Sequence, residues 1–192
     1  MKKILLTLLI LTFGIVNAQK KDCSIDYEVK NDSTDIIKLN DQLIFEKNFG
    51  DKTESLFFSL FRSGNENVLQ FQWLEKSKDF TLNKCFDLDA EIQIDLINAD
   101  FVTLKIYDKE ICSQLIYDET TGNNIRVLST FFEILPKDLE KLLKAKISVL
   151  TVNYSTGKEY YNVSDSVTSE NNKKEYKPAF YFINQIPCLK NK

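Results

Sequence analysis

The side chains able to do chemistry in this 192-residue chain are four cysteines, a run of spaced acids and one serine–lysine pair. Cys23, Cys85, Cys112 and Cys188 contain no pair at the C-x₂₋₄-C spacing of a zinc site. They read as two disulfides. Asp87-Leu88-Asp89-Ala90-Glu91 sets carboxylates at alternate positions, where an extended strand would line them along one face toward a calcium ion. The glycine and downstream ligand of an EF-hand are missing, so a solvated strand entry is the plainer reading. Ser155-Thr156-Gly157-Lys158 matches the S-x-x-K spacing of some serine acyltransferases. That chemistry needs the two residues one helical turn apart, whereas Thr156-Gly157 reads as a hairpin turn. No histidine occurs, which excludes Ser-His-Asp and Cys-His catalysis and any imidazole-ligated metal. The five glycines form no phosphate-binding array. No cofactor is expected.

The first segment reads as an address. Met1-Lys2-Lys3 precedes an apolar run from Ile4 to Val16, then Asn17-Ala18-Gln19. This is the three-part pattern of a signal peptide cleaved after Ala18. The run is short for crossing roughly 30 Å of hydrocarbon. Cys23 lies five positions beyond Ala18, too far for a lipoprotein signal. Cleavage leaves 174 residues for a single domain, residues 19–192, and removes Lys2 and Lys3, so the formal charge falls from −3 to −5. That acidity argues against a nucleic-acid partner. No later segment is long and apolar enough to span a membrane. Three Asn-x-Ser sequons begin at Asn31, Asn153 and Asn162. They matter only in a eukaryotic secretory pathway, and the basic start with its brief apolar core looks bacterial.

The elements that must position these residues are mostly strands. Leu69, Phe71 and Trp73 alternate with Gln70 and Gln72. Leu56, Phe58 and Leu60 point opposite to Phe57 and Phe61, so that strand predicts cover on both faces. Residues 56–62 and 68–75 read as a hairpin around Gly64. Ile92, Ile94 and Leu96 pair on one face with Val102, Leu104 and Ile106 if partner numbers sum to 198, with Asn98-Ala99-Asp100 as a three-residue loop. Cys85 and Cys112 flank that hairpin almost symmetrically, which predicts the Cys85–Cys112 disulfide. Cys23–Cys188 then ties the domain's ends. Helices are expected over 137–144 and 179–185, and the polar segment 164–177 reads as a mobile loop. Most aromatics, Trp73 included, read as core. Of Tyr160 and Tyr161, which point to opposite faces, one is expected at the surface.

The signal ending at Ala18, the early Cys23, the hairpin up to Trp73, the Cys85…Cys112 bracket and the aromatic end with Cys188 together resemble a loose group of small exported proteins common in Bacteroidota. That resemblance implies a β-rich exported domain and carries no catalytic residue. The expected fold is mainly β, an antiparallel sandwich-like single domain with one or two short helices. The expected function is a non-enzymatic binding or structural module, secreted or periplasmic, with a protein or glycan partner. The alternative is a carboxylate-dependent glycan hydrolase using acids such as Asp87 or Asp89, because two acids across a cleft suffice for that reaction.

Overall fold

Apolar residues at every second position set the strand faces, and the turn residues between them set the order. A computed structural model describes residues 23–31, 35–107 and 110–189. The first segment, expected to be a signal peptide, lies outside the described residues. The larger sheet contains β1 (Ile25–Lys30), β2 (Asp35–Leu39), β3 (Gln42–Phe49), β4 (Lys52–Ser63), β5 (Glu66–Ser77), β10 (Gln114–Asp118) and β11 (Asn123–Ile134). Its order is β1-β2-β4-β5-β11-β10, with β3 also paired to β4. Strand β4 is long enough to serve two neighbours, β3 along residues 52–58 and β2 along residues 61–63. The smaller sheet has the order β13-β12-β7-β8 and comprises β7 (Glu91–Leu96), β8 (Phe101–Lys105), β12 (Ile147–Tyr154) and β13 (Gly157–Asn162). Every pairing is antiparallel. The fold is a mainly β, sandwich-like single domain.

The two inner faces form one core. Leu56, Phe58, Leu60, Leu69, Phe71, Trp73, Leu128 and Phe132 of the larger sheet are fully buried, as are Ile92, Ile94, Leu104, Leu150 and Val152 of the smaller one. Phe71, Phe86, Phe132 and Tyr154 pack ring to ring through its centre. Each such contact is worth about 0.5–1.5 kcal/mol beyond area burial. Two helices form: α1 (Pro136–Leu142), where helical spacing predicts it, and α2 (Tyr181–Leu189), led in by a 3₁₀ turn at Pro178–Phe180 and running four residues past the expected 179–185. They close the core rather than cover the second face of the large sheet. Tyr181 and Phe182 both meet Phe58 on its inner side. On the outer side Phe57 and Phe61 are only half-buried, Phe61 against Phe131 and beneath Lys38.

Both disulfides form as the spacing predicts, Cys23–Cys188 and Cys85–Cys112. The latter joins directly opposed residues of a two-stranded ribbon, β6 (Cys85–Phe86) and β9 (Ile111–Cys112).

Besides the uncovered outer face of β4, two further expectations change. The β7–β8 partners sum to 196, two less than expected: Ile92 meets Leu104 and Ile94 meets Val102. A shift of two preserves the buried face, so the core pattern is unaltered. The turn decides the register. Ala99 adopts a left-handed φ of 63°, its N–H donates to the Leu96 carbonyl at 3.1 Å, and the Leu96 N–H donates to the Asp100 carbonyl at 2.9 Å. The loop therefore consists of residues 97–99. Ile106, released from Ile92, instead bridges to Phe132 of the larger sheet, and the chain crosses between sheets there.

Segment 164–177 is the second change. Its middle forms a small ribbon, β14 (Val167–Thr168) against β15 (Glu175–Tyr176). The Glu46 carboxylate on β3 accepts from the Ser169 hydroxyl at 2.8 Å, the Glu170 N–H at 2.7 Å and the Asn171 amide at 3.2 Å. A polar composition is here the material of a hydrogen-bonded clasp rather than of a mobile loop.

Candidate functional site

At one end of the sandwich the β3–β4 turn and segment 78–84 face each other across a cleft of about 720 Å³. The turn is tight. Phe49 pairs with Lys52, and Gly50 takes a left-handed φ of 59°. Segment 78–84 has no regular structure, yet its backbone is fastened at Lys78, Asp79, Thr81 and Lys84. The Asn124 amide donates to the carbonyls of Lys78 and Asp79. The Arg126 guanidinium donates to the Thr81 carbonyl. Lys84 exchanges bonds with Ser113, its N–H to the hydroxyl at 3.1 Å and its carbonyl from the Ser113 N–H at 2.7 Å. The next residue is Cys85, covalently held to Cys112.

Large apolar side chains stand out from these two supports. Phe49 is 78 % exposed, Phe80 73 % and Leu82 83 %. Below them lies a charged floor. The Lys84 ammonium contacts Glu159 at 2.6 Å and Glu54 at 3.4 Å, and it sits 4.4 Å from the Trp73 ring centroid and 4.7 Å from that of Tyr154. The Trp73 indole donates to Glu54 at 2.6 Å. The Tyr161 hydroxyl donates to Glu159 at 2.7 Å and reaches Glu54 at 3.3 Å, with the Tyr154 hydroxyl beside it at 3.1 Å. Burial pushes both phenols well above their ordinary value; Tyr154 raises Tyr161 further, whereas the hydrogen bond with Tyr161 offsets part of the rise at Tyr154. They stay neutral, and Tyr161 stays a donor. Nearby, the almost fully buried Glu75 is held by Lys52 at 2.5 Å. Thr81 lines the cleft, is 3 % exposed, and its hydroxyl has no hydrogen-bond partner.

The structure separates the residues that spacing first singled out. Asp87 and Asp89 are exposed in a turn closed by the Ala90 N–H on the Asp87 carbonyl, and neither lines the cleft. Glu91 lies 3.9 Å from Lys105. Among the described residues no group of three or more cysteine, aspartate or glutamate side chains is placed to hold a metal ion. Ser155 and Thr156 form the β12–β13 turn, one residue earlier than expected, and Lys158 has already joined β13. Cys85 adjoins the floor lysine, whereas Cys23, just before β1, is joined to Cys188 in α2. Tyr160 is exposed and Tyr161 buried, so one of the pair does reach the surface.

Sequence reasoning missed Glu54, Glu75, Glu159 and Lys84. The first three carry a legible signal. Glu54 continues the inward phase of Leu56, Phe58 and Leu60. Glu75 continues that of Phe71 and Trp73, and Glu159 that of Tyr161. A charge on the buried phase of a strand needs a partner, and these three strands deliver theirs to one end of the sandwich. Comparisons with protein-family models, with curated proteins and with solved structures found no match for this chain.

Proposed function

We propose that the protein is an exported, non-enzymatic binding module and that the cleft at the mouth of the sandwich is its recognition site. Two disulfides suit an oxidising compartment, and no described helix is long and apolar enough to cross a membrane. With the signal-like first segment, these features favour the periplasm or the cell exterior.

The observation that carries the reading is the contrast within residues 78–84. The backbone is pinned by side chains of β11 and by Ser113, while Phe80 and Leu82 are displayed to solvent. Holding apolar side chains in water on a pre-ordered support removes the ordering cost a ligand would otherwise meet. Loops on a rigid scaffold are also where recognition concentrates.

A second reading has its own observation: Glu54 and Glu159 converge on one lysine inside a cleft, the paired acids a glycan hydrolase would need. Both already accept from Lys84 and Tyr161. That ion-paired arrangement serves the charge balance of the floor better than proton transfer to a substrate.

The test immobilises the disulfide-bonded protein and passes a cell-envelope extract over it. Material retained by the wild type should be lost by Phe80→Ser/Leu82→Ser and kept by Tyr160→Ser, an exposed control on β13. Equal retention by all three proteins would remove the cleft from the reading. Glycan cleavage abolished by Glu159→Gln would replace binding with hydrolysis.

A further inference from the structure

The charges of the cleft do not balance. Asp51, Glu54, Glu75, Asp79 and Glu159 line it against only Lys52 and Lys84, a surplus of three negative charges. The two lysines are already committed, Lys52 to Glu75 and Lys84 to Glu54 and Glu159. Among the described residues Asp51 forms one ion pair, a long and exposed one to Lys78 at 3.7 Å. Asp79 is exposed, forms no ion pair among the described residues, and is flanked by Phe80.

The floor shows what such surroundings recognise. Lys84 lies over two aromatic rings with its ammonium on two carboxylates, a complete ammonium cage filled by the protein's own side chain. The rim repeats the ingredients, Phe49 near Asp51 and Phe80 beside Asp79. Phe80 already draws the Arg126 guanidinium to 5.6 Å from its ring centroid, and its exposure leaves the rest of the ring open. Ring faces attract cations, most strongly where carboxylates add to the field. An independent feature also points to an occupant. The buried Thr81 side chain also lines the cleft, and its hydroxyl has no hydrogen-bond partner.

We propose that the cleft takes a lysine side chain from an extended basic peptide segment of a partner protein. The aliphatic stem lies against Phe49, Phe80 and Leu82, and the ammonium is drawn by Asp79 and by Asp51, whose ion pair to Lys78 is long and solvent-exposed. This rests on the reading of the cleft as the recognition site and adds the chemistry of what enters it. Long lysine side chains suit the place because stem and head are recognised separately.

The experiment is calorimetric titration of the full, oxidised protein with a blocked lysine–glycine peptide. The same peptide with norleucine in place of lysine, and a neutral oligosaccharide, are titrated in parallel. The lysine peptide should bind and weaken with added salt, and the norleucine peptide should bind at least about fivefold less tightly. Asp51→Asn/Asp79→Asn should weaken the lysine peptide about tenfold. Both positions are exposed, and unchanged thermal unfolding will show that the variant folds. Equal binding of the two peptides, or binding of the oligosaccharide alone, overturns the lysine assignment. If that binding is still lost in Phe80→Ser/Leu82→Ser, the cleft remains a recognition site. Absence of binding by all three probes also overturns the lysine assignment, and the envelope retention assay then decides the cleft's role separately.

Discussion

Raising the pH should unfold this protein steeply, and the slope follows from three side chains. Tyr154, Tyr161 and Tyr181 are buried, and burial is the largest cause holding each phenol well above its ordinary value of 10.0. In the unfolded chain they return to that value. Below about pH 10 both states keep the three protons, and stability does not depend on them. Above it the unfolded chain loses three protons that the folded chain retains. Stability then falls by about 1.4 kcal/mol per pH unit for each phenol, about 4 kcal/mol per unit for the three. A domain with the usual 5–15 kcal/mol in hand would unfold within about one to four units above pH 10. Urea unfolding at closely spaced pH values, followed alongside tyrosinate absorbance, measures this. Tyr181 gives the cleanest control. Its hydroxyl has no hydrogen-bond partner, so Tyr181→Phe should leave neutral-pH stability unchanged or raise it by about 1 kcal/mol. It should also remove a third of the alkaline slope. Stability that stays level above pH 10, or a Tyr181→Phe slope equal to that of the wild type, would refute the account.

Lys84→Met should cost about 2 kcal/mol by chemical denaturation, because Glu54 and Glu159 then face each other without their counter-charge; partial exposure keeps the loss below that of a fully buried pair. Glu46→Ala should release segment 164–177, costing about 1–2 kcal/mol and opening a new protease site there before global unfolding. Removing Cys23–Cys188, with a sequence separation of 165, should cost up to about 5 kcal/mol, against about 3.5 for the Cys85–Cys112 loop. Thermal unfolding of the two double-alanine variants ranks them. Phe80→Ala should leave the melting temperature almost unchanged, since so little of that ring is buried.

Period-two alternation made most of the fold legible. The buried phases of β5, β7 and β8 are those the apolar residues mark, whereas β4 and β11 carry apolar residues on both phases and bury one; Leu135, Leu139, Leu142 and Leu143 at helical spacing announce α1. Parity fixes a face but not a register, because a slip of two residues costs the core nothing. The β7–β8 register was decided instead by an alanine in a left-handed turn, a conformation the residue type does not advertise. The clasp over 164–177 was hidden for a related reason. Its hydrogen-bond acceptor, Glu46, lies more than a hundred residues away. The site was legible only in part. Glu54, Glu75 and Glu159 interrupt buried phases and are visible as exceptions. Lys84, Phe80 and Leu82 sit in an irregular segment with no phase to break, and only tertiary packing tells an exposed phenylalanine from a core one.

The bond between Cys23 and Cys188 has a mechanical consequence. The two cysteines stand 5.5 Å apart at Cα, so a pull entering at residue 23 and leaving at residue 188 crosses one covalent link and bypasses both sheets. While the bond is oxidised, tension along the chain cannot peel β1 or extract α2, and the intervening 164 residues act as an inextensible bead. The cleft therefore keeps its geometry under load. A reductant would turn the same bead into an extensible thread, with β1 and α2 the first elements exposed to the force.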